Sequence, residues 1–179
     1  MKRRMFVATA LATALTSRLD AQAGGETHRM TADPLRGKGR KSMSDANRDL
    51  VNLMIEEIQN RKNIGLMDEI FSAHFRNHTP PQGISNDRSG MRQLFSMIYV
   101  AFPDGMVVVE DQISSEGKVW TRKTFTGTHS GPLRGIAATG KKVTYEVFDI
   151  LQIQGGKIIA HWSLADQLSL LRQIGAIKT

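Results

Sequence analysis

The hydrophobic residues of this chain change their period near residue 103, and that change limits the fold more than any other feature. Before it, Leu50, Leu53, Met54 and Ile58, and then Met91, Leu94, Phe95, Ile98 and Phe102, recur at three- and four-residue intervals. Stripes of this kind belong to amphipathic helices, because 3.6 residues per turn stack positions i, i+3 and i+4 on one face. They predict helices over about 45–60 and about 87–101, the second ended by Pro103. Between them, "NRKNIGLMDEIF" reads as a break and a short helix, and "HFRNH" as a short strand ended by "TPPQG". After residue 103, "MVVVEDQIS", "KVWTRKTFTGTH", "KVTYEVFDILQI" and "KIIAHWSL" read as four strands, joined by "SEG", the longer "SGPLRGIAATGK" and "QGG". A last helix, "DQLSLLRQI", closes on Gly175. Helices followed by an antiparallel meander define an α+β fold: a curved antiparallel sheet with the N-terminal helices packed over one face. That arrangement encloses a conical pocket, the default place for a ligand.

The segment ahead of residue 45 reads differently. "MKRR" is a basic n-region, "MFVATALATAL" an apolar run too short to span a bilayer, and "AQA" at 21–23 a small-residue cleavage site. We expect a signal peptide over 1–23 and an exported protein, periplasmic or secreted, with no membrane span once the leader is removed. Arg3-Arg4 ahead of Met5-Phe6 also admits a twin-arginine route. Residues 24–44, rich in Gly, Lys and Arg without apolar periodicity, are expected to be a disordered linker, and 45–179 the domain, opened by Ser44 as N-cap. The net charge of +7 belongs to this leader and linker, because 45–179 holds 15 basic against 14 acidic residues. A nucleic-acid partner is therefore not expected. The chain has no cysteine, which excludes disulfides and thiolate metal sites. It has no P-loop, GxGxxG or HExxH, and no histidine grouping at metal-ligand spacing beyond the loose His74/His78. Neither a metal nor a cofactor is expected.

Chemistry concentrates in "HWSLAD", residues 161–166, which places an imidazole, an indole, a hydroxyl and a carboxylate together. The run "FTGTHSGPLRGIAATGKKVTYEVFDILQIQGGKIIAHWSLADQLSLLRQIGA", with "IEEIQNRKNIGLMDEIFSAHFRNHTPPQG" and "AFPDGMVVVEDQI" upstream, resembles the SnoaL-like, ester-cyclase-type polyketide cyclases. The resemblance covers essentially all of 45–177. It implies the cystatin-like cone of the nuclear-transport-factor-two-like superfamily and a homodimer formed through the sheet. In that family the acid/base is an aspartate two residues after the histidine of "GKIxxH"; here that position is Ser163. A histidine that assists from the preceding strand corresponds to Asp149, a nearby glutamine to Val147, and a substrate-orienting asparagine to Asn77, with His78 as the other alignment.

An intramolecular aldol closure needs a base beside a carbonyl and then an acid for the new alkoxide. A carboxylate with a raised pKa can serve as both, and a serine hydroxyl can serve as neither. The candidate catalytic residues are therefore Asp149, His161 and Asp166. The candidate pocket residues are Asn77, His78, Tyr145, Val147, Trp162 and Ser163. If "QGG" is a three-residue loop, Asp149 sits opposite His161 and Val147 opposite Ser163. A two-residue loop instead puts Asp149 opposite Trp162 and turns His161 to the other side of the sheet. Apolar segregation leans to the second register and the resemblance to the first, and we take the first. Each candidate also has an ordinary structural role. Asp166 before "QLSLL" is a good N-cap, His161 and Asp149 can be a satisfied buried pair, Tyr145 and Trp162 suit a core or dimer interface, and His129 sits at a strand-turn junction. Two functions fit: a cofactor-free acid/base enzyme acting on a small apolar or aromatic carbonyl compound, or a non-catalytic protein that binds one.

Overall fold

A computed structural model describes residues 42–178; the expected leader and all but the last three residues of the expected linker lie outside the described residues. Helix α1 (Met43–Leu53) starts one residue before Ser44, and its cap is Ser42, whose Oγ accepts the Asp45 N–H at 3.0 Å. The chain then continues as a π-helical stretch, Met54–Asn60, in which the Arg61 N–H reaches back five residues to the Glu56 carbonyl. Met54, Ile55 and Ile58 are buried there, whereas Leu53, expected on the core stripe, is exposed. The wider turns re-phase the stripe, so Ile55 occupies the core in its place. Asn60 ends the stretch by pairing its side-chain amide with the main chain of Val107, donating to the carbonyl at 3.1 Å and accepting the N–H at 2.8 Å.

A 3-10 turn, Ile64–Leu66, leads into the short helix α2 (Met67–Ile70) and strand β1 (Phe71–Asn77). Helix α3 (Arg88–Ala101) is capped by Asp87, which accepts the Gly90 N–H at 2.9 Å. That N–H, with the Ser85 and Ser89 hydroxyls, holds the Asp87 carboxyl down to about 2. The meander follows as β2 (Met106–Ser115), β3 (Lys118–Thr128), β4 (Lys142–Gln154) and β5 (Lys157–Ala165), and α4 (Gln167–Ile174) ends at Gly175 in the left-handed conformation, φ 81°.

The sheet order is β1-β5-β4-β3-β2. Strands β2 to β5 are antiparallel as expected, but β1 lies parallel to β5, so the sheet is mixed rather than wholly antiparallel. No hairpin ties β1 to the meander, because α3 intervenes, and its direction is free to follow the edge of β5. The inner face of the sheet and the helices share one core, in which Val51, Ile58, Phe71, Phe75, Phe102, Val119 and Leu151 are almost wholly buried. Burying side chains of this size contributes about 1.5–3 kcal/mol each.

The β4–β5 hairpin corrects both registers considered from the sequence. Its turn is the two-residue pair Gly155-Gly156, with φ 58° and 72°, which is the backbone a type I′ turn demands and glycine adopts freely. Two-residue geometry holds for Gln154↔Lys157 and Ile153↔Ile158, and then the register shifts to Gln152↔Ala160. Ile159 is the extra residue of a β-bulge. Beyond it Leu151 pairs with His161 and Asp149 with Ser163. A regular two-residue hairpin would have paired His161 with Ile150 and turned the imidazole to the outer face. The bulge restores the parity, and Asp149, His161 and Ser163 all face inward.

Candidate functional site

The helices and the inner face of the sheet enclose a cavity of about 700 Å³. Its walls are mainly apolar: Met91, Leu94, Phe95, Ile98, Phe102, Phe125 and Leu133 line it, with Tyr145, Val147 and Leu151 from β4. A volume and lining of this kind suit a small, largely apolar ligand.

One charged cluster interrupts those walls. Asp149 on β4 is 5% exposed and pairs directly with Thr121 on β3 and Ser163 on β5. Its charged contacts come from the diagonal positions, one on each neighbouring strand: Lys123 on β3 and His161 on β5. Diagonal neighbours are within reach of long side chains and of imidazole. The Lys123 Nζ forms an ion pair with Asp149 Oδ2 and also donates to Gln59 Oε1 at 3.1 Å; Lys123 is 3% exposed. His161 Nε2 stands 3.3 Å from Asp149 Oδ1. That contact has the distance of an ion pair but not the alignment of a hydrogen bond, which leaves Asp149 Oδ1 buried without a hydrogen-bond partner; His161 Nδ1, the other ring nitrogen, is likewise buried without one. Burial pushes the Asp149 carboxyl up, but the Lys123 ammonium and the His161 imidazole outweigh it and hold the group well below the usual carboxylate range. Asp149 is therefore an ionised acceptor and a weak base. Of the three groups, His161 is the one whose ring can both accept and donate a proton while Lys123 and Asp149 hold each other as an ion pair.

A second polar chain runs along the seam between β1 and β5. Asn77, 2% exposed, pairs with His161, and its Oδ1 accepts the Thr79 N–H at 3.1 Å. The Thr79 Oγ1 in turn accepts the Ser163 N–H at 2.8 Å. Thr79 thus covers a β5 main-chain group after β1 has ended.

Of the residues singled out from the sequence, Asp149, His161, Asn77, Tyr145, Val147 and Ser163 line this cavity. Asp166 is not among its lining residues; it is exposed, and its carboxylate caps α4 by accepting the Ser169 N–H at 2.8 Å. His78 and Trp162 stack on each other, ring centres 4.3 Å apart and planes 5° apart, away from the cavity. Trp162 belongs to the outer face, where a groove of about 570 Å³ runs between Ile113, Trp120, Phe148 and Leu164. His129 is wholly buried, with Nδ1 3.0 Å from Thr139 Oγ1. Among the described residues, no group of three His, Asp or Glu side chains is disposed to hold a metal ion.

Lys123 is the residue that the sequence reading passed over. Its signal was present: Val119, Thr121, Lys123 and Phe125 share one face of β3, and a lysine in phase with valine and phenylalanine points into the core. Gln59 carried no comparable signal, because the π-helical turns that present it break the helical period.

A cone of helices over a curved mixed sheet, with a polar cluster on the inner sheet face, defines the SnoaL/nuclear-transport-factor-two-like class of pocket proteins. Within that class, the family model for SnoaL-like polyketide cyclases matches residues 49–174, and the chain belongs to that family. It is similar to TsrD from Streptomyces laurentii, at 25% identity and TM-score 0.69, over 76% of this chain and 100% of that one. A candidate polyketide cyclase from Bacillus cereus is 25% identical, with TM-score 0.67, over 77% of this chain and 87% of its own. A candidate SnoaL-like polyketide cyclase from Jannaschia sp. shares the fold at TM-score 0.70 and 19% identity, over 79% of this chain and 100% of its own. No curated protein matches the chain.

Proposed function

We propose that this protein is an exported, cofactor-free acid/base catalyst acting on a small, largely apolar carbonyl compound. The observation that carries the reading is the buried Lys123–Asp149–His161 cluster in an otherwise apolar cavity. His161 takes a proton from the carbon beside the ligand's carbonyl and returns one to the oxygen that becomes negative. Asp149, 3.3 Å from the His161 Nε2, stabilises the imidazolium by its charge, and Lys123 keeps Asp149 ionised. Ser163 replaces the family's usual acid and does no proton transfer. Asp166, on its cap, has no part in the chemistry.

Deuterium uptake tests this directly. Methyl 2-acetylbenzoate in D2O offers acetyl protons whose exchange can be followed by proton NMR. The wild type should accelerate the exchange, and His161→Gln should lose about 10²–10⁴-fold, the usual contribution of a positioned proton-transfer group. Exchange no faster than in buffer would refute the catalytic reading. The second reading, a binding protein on the same fold, is favoured by Ser163 and by the lowered basicity of Asp149. It predicts saturable binding of such esters with no exchange.

The same proposal includes a homodimer through the outer face of the sheet. Ile113, Trp120, Phe148 and Leu164 are exposed there to 68%, 51%, 49% and 74%, an apolar patch that water alone covers poorly.

A further inference from the structure

The cavity carries a second polar feature, far from the charge cluster in character. In the long β3–β4 connection, Leu133 and Ile136 exchange main-chain hydrogen bonds, each N–H to the other's carbonyl at 2.9 Å. The two residues between them, Arg134 and Gly135, have φ 49° and 82°. This is a two-residue turn of the type usually built from asparagine and glycine. Leu133, buried against the core, anchors it. Arginine at the first turn position, at positive φ, is strained relative to glycine. The turn holds Arg134 at the cavity's edge, where it is exposed yet counted among the lining residues.

Arg134 makes no ion pair and no hydrogen bond among the described residues, although six other lysines and arginines do make ion pairs. Tyr145, also on the lining, packs its ring on Phe125 with centres 5.0 Å apart, and its hydroxyl has no hydrogen-bond partner either. Both residues line the same cavity; burial pushes the Tyr145 hydroxyl up, and the positive charge of Arg134 opposes the shift. Deeper in, Lys123 and Asp149 cancel each other. With His161 neutral, as the proposed base requires, the charged lining residues sum to a single positive charge, that of Arg134. The five guanidinium N–H groups of Arg134 and the Tyr145 O–H, both on the cavity lining, have no acceptor among the described residues.

We infer that the ligand of this cavity carries a carboxylate, bound by Arg134 and Tyr145 at the edge while its apolar body fills the cavity toward His161. The inference rests on the cavity being the ligand site, as proposed above, and narrows the ligand to an apolar or aromatic acid. A carboxylate accepts and does not donate, and its planar pair of oxygens matches the guanidinium fork. Its charge balances the one left over. The turn's strain also acquires a reason, since an asparagine there would relieve it and forfeit the cation.

Calorimetric titration of benzoic, 2-naphthoic and anthracene-2-carboxylic acids, each beside its methyl ester, tests the inference at pH 7 and low salt. At least one acid should bind the wild type about tenfold or more tighter than its ester, since a hydrogen-bonded charge pair is worth that much. The advantage should shrink as salt is raised. Arg134→Asn keeps a residue suited to the left-handed turn, so the fold is not put at risk, and it should bring acid and ester to equal affinity. Tyr145→Phe should reduce the acid's advantage by a smaller factor. Equal affinities of acid and ester for the wild type, or an acid preference that survives Arg134→Asn, would overturn the inference and leave the cavity reading standing. If neither acids nor esters of any ring size bind, the cavity reading fails and this inference falls with it.

Discussion

Replacing Lys123 by methionine is the most informative single perturbation. The ammonium is 3% exposed and its partner Asp149 is 5% exposed, so little water can take over when it is removed. Breaking a buried pair by deleting one member costs about 3–5 kcal/mol, because the remaining charge is left uncompensated. For a domain of this size that corresponds to a fall in Tm of about 10–15 °C. The pH dependence supplies the sharper check. In the wild type the Asp149 carboxyl is held below its unfolded value, so its contribution is complete above that value and is lost only as pH falls through the low folded one. In Lys123→Met, burial is opposed by His161 alone, and the carboxyl should rise above its unfolded value of about 3.9. The sign then reverses: the loss relative to wild type is full near neutrality and shrinks as pH falls from the raised value toward 4. Urea unfolding followed by circular dichroism between pH 4.5 and 8 measures both. A double variant, Lys123→Met with Asp149→Leu, removes charge and countercharge together and should recover to within about 1 kcal/mol of wild type, as apolar replacements of buried pairs do. A single variant within about 0.5 kcal/mol of wild type at pH 7, the range of a neutral surface change, would refute the account of the cluster, as would a loss that deepens on acidification.

Other substitutions separate the roles assigned to neighbouring residues. Asp166→Ala should cost about 1 kcal/mol of stability, the usual worth of an N-cap, and leave deuterium exchange untouched; a large loss of exchange at unchanged stability would return Asp166 to the chemistry. Trp120→Glu should convert the proposed dimer to a monomer by sedimentation velocity without altering the proposed ligand binding in the cavity, and a wild type that sediments as a monomer refutes the dimer outright. Gly155→Val should destabilise the β4–β5 hairpin by at least about 1–2 kcal/mol, since a β-branched residue must be forced to the positive φ of 58°, and thermal unfolding reads this directly.

Much of this architecture was legible because it depends on period. The stripes of α1 and α3 and the four strands of the meander emerge from counting apolar positions, and Gly175 marks the end of α4 through its backbone freedom. Asp149 and His161 were placed on one face by family resemblance, and they share it, though through a bulge that neither considered register contained. What stayed hidden depends on partners far apart in sequence. The direction of β1 follows from the free edge of β5, not from any local signal. The tie between Thr79 and Ser163 spans 84 positions, and the Lys123–Gln59 bond spans 64. Trp162 and His161 are adjacent in the chain and on opposite faces of the sheet, so a short motif that seemed to gather its residues in one place is divided between two surfaces.

The bulge at Ile159 makes the C-terminal strand behave like a text with two reading frames. One frame presents His161, Ser163 and Ala165 to the cavity; the other would present Trp162 and Leu164 there and leave the imidazole among the outer apolar residues. A single residue, contributing no side chain to the site, selects between them. Strand parity admits no intermediate, so a substitution in the hairpin shades the site by degrees, whereas a change of one in the count of residues between Gly156 and His161 decides which of two surfaces the strand spells out.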